Sequence, residues 1–148
     1  MGGSTRIREP GCRQAGGVAY QRVGRGEPLV LLHGLGGSGR IWRPVLPFLL
    51  AHRDVIAVDL PGFGASAPLP ARSPHTPDQL AAAVERLLDA LDVDAPQVAG
   101  HSLGAWVALE LALRGRAGSV TAVCPPGCGQ RRHLTGFAGG CCGTGSSR

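Results

Sequence analysis

The stretch from Val98 to Ala105 constrains the fold of this chain more than any other. It reads as a short apolar segment, then Gly100-His101-Ser102-Leu103-Gly104, then an apolar run suited to a helix. In this G-x-S-x-G pattern a serine occupies a strained turn between a buried strand and a helix. So tight a turn leaves little room two residues to either side of the serine, which explains both glycines. Because 24 of the 148 residues are glycine, the pattern alone does not exclude an ordinary glycine turn, and the flanking elements must decide.

Apolar runs and turn residues divide the chain into alternating strands and helices. A first hairpin is expected from strands over 6–12 and 17–23, and further strands over 29–32, 55–58, 97–100 and 119–124. Helices are expected over 40–51, where two prolines interrupt the segment, and over 76–91 and 103–114. The second helix has Thr76 as its N-cap, with Gln79 placed to close a capping box. Its apolar stripe consists of Leu80, Val84, Leu87, Leu88 and Leu91. This alternation predicts an α/β fold with a mostly parallel sheet and helices on both faces.

Three polar or glycine-rich segments follow predicted strands directly. They are His33-Gly34-Leu35-Gly36-Gly37-Ser38-Gly39, then Asp59-Leu60-Pro61-Gly62-Phe63-Gly64-Ala65-Ser66, then the turn at Ser102. The carboxyl ends of parallel strands lie at one edge of a sheet, where ligands bind in a crevice. We therefore expect these three segments to meet there.

The segment 34–39 also fits the G-x-G-x-x-G pattern of dinucleotide-binding folds, with Asp59 at the spacing of the ribose-binding acid. That pattern needs an unbroken helix after its glycines, whereas Pro44 and Pro47 interrupt the helix expected here. Two strands also precede the segment's own strand, and an NAD(P)-binding Rossmann-type domain does not explain the pattern at Ser102. The NAD(P)-binding domain stays open as the lesser alternative.

Composition excludes several other classes. The net charge of +5 comes from arginines that are scattered and not interleaved with aromatic residues, which argues against a nucleic-acid partner. No apolar run is long enough to span a membrane, and the polar start lacks the apolar core of a signal peptide, so a cytoplasmic location is expected. The odd number of cysteines argues against a disulfide framework. The spacing of the last four cysteines and His133 fits no compact zinc module, so neither a metal nor a cofactor is expected.

The three segments, in this order and spacing, resemble the α/β-hydrolase superfamily, in particular its esterase-like and haloperoxidase-like members. The resemblance covers residues 6 to about 124. It implies that Ser102 is the nucleophile, forming an acyl-enzyme with a small-molecule acyl substrate. It further implies that the backbone N–H groups of Leu35 and Leu103 form the oxyanion hole. The residues it implies as shaping the site are His33, Gly34, Gly100, His101 and Gly104.

The family's triad follows the order serine, acid, histidine, yet no aspartate or glutamate follows Glu110 in this sequence. His133 comes too soon after Ser102 to be the usual base. We therefore expect residues 1–124 to be a partial α/β-hydrolase domain, truncated after about the sixth strand. Residues 125–148 form a Gly/Cys/Arg-rich tail, expected to be disordered or frame-shifted. Two function classes stay open: a serine hydrolase with little or no activity in this form, and a non-catalytic remnant or binding protein.

Overall fold

The computed structural model describes residues 11–126, which form a six-stranded sheet with helices on both faces. The strands are β1 (Arg13–Ala15), β2 (Val18–Gly24), β3 (Glu27–Leu32), β4 (Arg53–Asp59), β5 (Gln97–His101) and β6 (Ser119–Val123). The α-helices are α1 (Leu46–Leu49), α2 (Pro77–Ala90) and α3 (Leu103–Leu113), and a 3-10 turn covers Gly39–Trp42. The predicted fold class is confirmed.

The sheet order is β1-β2-β4-β3-β5-β6. β3 pairs in parallel with β4 and β5, and β5 pairs in parallel with β6. β1 and β2 form an antiparallel hairpin, and β2 is antiparallel to β4. The sheet is therefore mostly parallel, with β4 and β3 at its centre, and β4, β3 and β5 direct their carboxyl ends to one edge.

Alternate residues of β3 and β4 enter two separate apolar clusters, as expected of strands covered on both faces. Val30, Leu32, Ile56 and Val58 join the larger cluster with the buried residues of α2 and α3. On the opposite face, Leu29, Leu31, Val55 and Ala57 pack with Leu46 of α1.

α2 begins as predicted, but only half of the expected capping box forms. The Gln79 N–H donates to Thr76 Oγ1 at 3.3 Å, whereas the Gln79 side chain donates to Asp78 Oδ2 and does not accept from the Thr76 N–H. The predicted apolar stripe is confirmed, since Leu80, Val84, Leu87 and Leu88 are buried and Leu91 packs against the same cluster.

Two boundaries differ from expectation. Among the described residues the first strand is β1 at Arg13–Ala15, residues 11 and 12 of the strand expected over 6–12 are not in a strand, and residues 6–10 lie outside the described part. The segment 40–51 forms the 3-10 turn and the single-turn α1, because Pro44 and Pro47 each remove a backbone donor. β6 is the outer strand of the described sheet, and four of its five residues are exposed.

No helix within residues 11–126 is both long and apolar enough to cross a membrane. The predicted tail at 125–148 lies outside the described residues from position 127 onward.

Candidate active site

Ser102 occupies the junction between β5 and α3, with backbone angles φ 52° and ψ −114°. An L-residue in such a conformation costs about 1–3 kcal/mol, so surrounding contacts must hold it in place. The Ser102 N–H donates to the Val123 carbonyl of β6 at 2.9 Å, and its own carbonyl accepts from the Ala105 N–H at 2.9 Å. The turn is therefore fixed from the sheet on one side and from α3 on the other.

The glycines on either side of Ser102 are required by the packing of α3. A β-carbon at Gly100 would collide with the backbone of Gly104, and one at Gly104 would collide with the carbonyl oxygens of Leu32 and His33. Because the opposing atoms belong to the backbone, they cannot move aside by a change of side-chain rotamer. The start of α3 is thus pressed against β5 and the end of β3, as the sequence pattern predicts.

The glycine-rich loop after β3 lies directly beside Ser102. A β-carbon at Gly34 would lie 3.2 Å from Ser102 Cβ and 2.9 Å from His101 Nδ1. Leu35, the next residue, is 77% exposed. Within residues 11–126, neither the Leu35 N–H nor the Leu103 N–H donates to a backbone carbonyl. Ser102 Oγ forms no hydrogen bond with any of these residues either.

His33 is fully buried beneath this loop and uses both ring nitrogens. Its Nε2 accepts from the Leu60 N–H at 2.9 Å, and its Nδ1 lies 2.7 Å from the Gly34 carbonyl oxygen. Burial lowers the pKa of His33 below its usual value, although the Gly34 carbonyl and the charge of Asp59 oppose that change. The ring is therefore neutral at pH 7, which fits a structural contact better than proton transfer.

Asp59 joins three segments around the site. Its Oδ1 accepts from the Gly39 N–H at 2.7 Å and its Oδ2 from the Ala65 N–H at 2.8 Å. Ser66 Oγ donates to the Asp59 carbonyl and accepts from the Ala19 N–H of β2. The motif from Asp59 to Ser66 was recognisable in the sequence, but these partners were not.

The geometry after β3 argues against the dinucleotide alternative. Each carboxylate oxygen of Asp59 accepts one backbone N–H, so this side chain holds the neighbouring loops together. The glycine run is followed by a 3-10 turn of four residues, not by the long helix whose N-terminus would bind a pyrophosphate.

The structure brings together the predicted site residues near Ser102 and separates the other histidines from them. His101 packs against Gly34 and is exposed, while His52 and His75 are exposed elsewhere, as expected. No group of three potential metal ligands occurs within residues 11–126. Cys124 is exposed there, whereas Cys128, His133, Cys141 and Cys142 lie outside the described residues.

Residues 27–134 match the family model described as the alpha/beta hydrolase fold. The chain therefore belongs to the α/β-hydrolase family.

Its relatives carry several different activities. The chain is 38% identical to the dihydrolipoyllysine-residue acetyltransferase component of the acetoin cleaving system of Pseudomonas putida, over 88% of this chain and 40% of that protein. It is 41% identical to the pimeloyl-[acyl-carrier protein] methyl ester esterase of Aeromonas hydrophila, over 65% of this chain and 36% of the esterase.

Solved structures agree with this assignment. A hydrolase from Pseudomonas aeruginosa PA01 aligns with a TM-score of 0.64 and 34% identity, over 71% of this chain and 40% of the other. An epoxide hydrolase from an endophytic Streptomyces aligns with a TM-score of 0.67 and 26% identity, over 76% and 35%. This chain thus spans well under half the length of the relatives it matches.

Proposed function

We propose that the protein is a serine hydrolase that cleaves carboxylic-ester-type acyl bonds through an acyl-enzyme on Ser102. The observation that carries this proposal is the turn itself. A serine is held at positive φ at the start of α3, and its hydroxyl has no hydrogen-bond partner within residues 11–126. Within these residues no side-chain hydrogen bond of Ser102 offsets the cost of the strain, so a chemical role for the hydroxyl explains the conformation better.

In this proposal Ser102 Oγ attacks the substrate carbonyl carbon and loses its proton to a base. The tetrahedral intermediate then expels the alcohol, which takes up a proton, and the acyl group remains on Oγ. Water attacks the same carbon in the second half of the reaction, releasing the acid and restoring the hydroxyl.

The backbone N–H groups of Leu35 and Leu103 are the proposed oxyanion donors. Leu103 is the first residue of α3, where N–H groups lack partners within the helix and the helix dipole favours negative charge. Leu35 follows Gly34, whose backbone abuts Ser102. Each such donor contributes about 3 kcal/mol to transition-state stabilisation.

A serine hydroxyl needs a base to become a useful nucleophile. Within residues 11–126 no imidazole or carboxylate bonds to Ser102 Oγ, and the sequence has no acidic residue after Glu110. We therefore propose that this polypeptide by itself turns over substrate very slowly. The same observation favours the second candidate, a non-catalytic remnant or binding protein that retains this part of the fold.

The substrate class follows from the nucleophile and from the names of the relatives. A serine suits acyl transfer, because its acyl-enzyme is an ester that water can cleave. One relative is named as a methyl ester esterase and another as an acetyltransferase component. Both names refer to an acyl group, and we propose a small-molecule acyl ester as the substrate of this chain.

The test is covalent labelling of the full chain with a fluorophosphonate, read by intact-protein mass and by the site of modification. We expect slow, single labelling at Ser102 that is lost in Ser102→Ala. The matched control, Ser119→Ala, removes an exposed serine of β6 and leaves labelling unchanged. A folded wild-type chain that stays unlabelled would favour the non-catalytic candidate.

A p-nitrophenyl ester assay on the same proteins provides the second measurement. Oxyanion donors alone can leave a trace of activity. Equal rates for wild type and Ser102→Ala would therefore remove Ser102 from the mechanism.

A further inference from the structure

The carbonyl oxygen of Gly34 lies within hydrogen-bond distance of two donors from different directions. Nδ1 of His33 is 2.7 Å away and the Gly37 N–H donates to the same oxygen at 3.0 Å. The second bond closes the local turn. The hydrogen bond from His33 joins the glycine-rich loop to a side chain that is fully buried.

The tautomer of His33 follows from its other partner. The Leu60 N–H can only donate, so Nε2 of His33 must be the unprotonated, accepting nitrogen. In a neutral ring the single proton then lies on Nδ1, where it is donated to the Gly34 carbonyl. The ring of Phe63 also packs against the His33 ring, with the two centroids 5.5 Å apart and the ring planes at 79°.

The hydrogen bond from His33 Nδ1 to the Gly34 carbonyl fixes the orientation of the whole Gly34–Leu35 peptide group, not only that of the carbonyl. The Gly34 carbonyl and the Leu35 N–H belong to the same trans peptide group, in which C=O and N–H point in opposite directions. Two donors on the carbonyl therefore hold the Leu35 N–H pointing away from His33 and Gly37. Gly34 itself abuts Ser102 Cβ.

We propose that His33 is a positioning residue, which orients the Leu35 N–H toward the reacting carbonyl by donating from Nδ1 to Gly34. This inference rests on the proposed hydrolase function for its catalytic consequence. The orientation of the peptide is a separate, structural claim. His33 acts through the Gly34–Leu35 peptide and itself touches no substrate.

The inference has a spectroscopic test that needs no substitution. In ¹⁵N-labelled full chain, long-range ¹⁵N–¹H correlation of the histidine rings distinguishes the two neutral tautomers. We expect the His33 ring to be protonated at Nδ1 and unprotonated at Nε2 at neutral pH. Protonation at Nε2 overturns the inference, whether or not the chain reacts with a fluorophosphonate.

Two substitutions separate positioning from simple packing. In His33→Asn the side-chain amide N–H lies near the place of Nδ1, so the bond to Gly34 can be kept. In His33→Gln the amide reaches the place of Nε2, so the contact with Leu60 is favoured instead. We expect the Leu35 amide resonance to stay near its wild-type position in the first variant and to move in the second.

Fluorophosphonate labelling of Ser102 gives the catalytic readout. We expect a loss of about 100-fold in His33→Gln, the size of losing one oxyanion donor, and substantial rescue in His33→Asn. His52→Asn, at an exposed position directly before the amino end of β4, serves as the control and leaves the rate unchanged.

The outcomes separate the two proposals. If the fluorophosphonate does not react with the wild-type chain, the hydrolase proposal fails. The tautomer of His33 and the Leu35 amide resonance then still decide whether His33 orients the peptide. If the two variants shift the Leu35 resonance equally and slow labelling equally, His33 is only a packing residue and the inference is wrong. If neither variant folds, protonation of wild-type His33 at Nε2 still overturns the inference, and protonation at Nδ1 supports the hydrogen bond on which it rests.

Discussion

The backbone N–H of Ser102 donates to the carbonyl of Val123 at 2.9 Å. This bond joins the strained turn to β6, whose residues are mostly exposed and which pairs only with β5 within the described sheet. The strained backbone conformation of Ser102 is therefore held by a hydrogen bond to β6, the most exposed strand of the described sheet.

Replacing Ser102 with glycine should stabilise the protein. Glycine adopts φ 52° without steric cost, so relief of strain exceeds the extra entropy of the unfolded chain by about 1 kcal/mol. Urea denaturation measures the change. Ser102→Ala is the matched control, because alanine keeps the β-carbon and should gain nothing. Equal stability of the two variants would show that the turn is unstrained.

Stability should decrease in mildly acidic solution because of His33. The pKa of His33 in the folded protein is lowered from 6.5 by burial, so the unfolded chain binds a proton more readily than the folded one. The contribution of the neutral ring is complete above about pH 6.5 and is lost as the pH falls toward the lower, folded-state pKa. We expect the free energy of unfolding to decline over that range.

The measurement is urea denaturation at a series of pH values. His33→Asn should reduce the decline in this range, because asparagine does not titrate. His52→Gln, at an exposed position, should retain the wild-type pH dependence. A decline that persists in full in His33→Asn would assign it to other groups.

Asp59→Asn should destabilise the protein by about 2 kcal/mol. Asparagine keeps one accepting oxygen but presents an NH₂ group to the second backbone donor, either Gly39 or Ala65. The shift in denaturant midpoint checks this. Asp94→Asn is the control, since its ion pair with Arg116 is 3.5 Å long and its side chain is almost fully exposed. Similar midpoints for both variants would contradict the role given to Asp59.

Gly100→Ala should destabilise the protein by about 3 kcal/mol or more, because the new methyl group meets the backbone of Gly104. Thermal unfolding followed by circular dichroism measures the loss. Gly11→Ala is the control, at a glycine with nothing within 4 Å of an added β-carbon. A small effect at Gly100 would mean that α3 can move away from β5 at little cost.

Local patterns predicted the central elements well. Thr76 before α2 and Pro77 at its first position determine locally where the helix begins. The glycines around Ser102 indicate a close approach that only glycine permits. The strand predicted at 119–124 is β6 at Ser119–Val123, because its β-branched residues lie between clear turn residues.

Long-range contacts could not be predicted from the sequence. β1 is only three residues long, so it carries no useful periodicity, and its position depends on pairing with β2. The partners of Asp59 come from Gly39 and Ala65, and the fold alone brings the first of these near. The accepting role of His33 Nε2 likewise depends on where Leu60 lies.

The side chains of His33, Asp59 and Ser66 have a consequence for local opening of the structure. Together they accept hydrogen bonds from four backbone amides in three segments, namely Ala19 in β2, Gly39 in the 3-10 turn, and Leu60 and Ala65 in the loop after β4. Releasing one of these amides to solvent disturbs the side chains that hold the others. Deuterium should therefore enter at all four amides together and slowly, as one cooperative unit, even though only Ala19 lies in a strand.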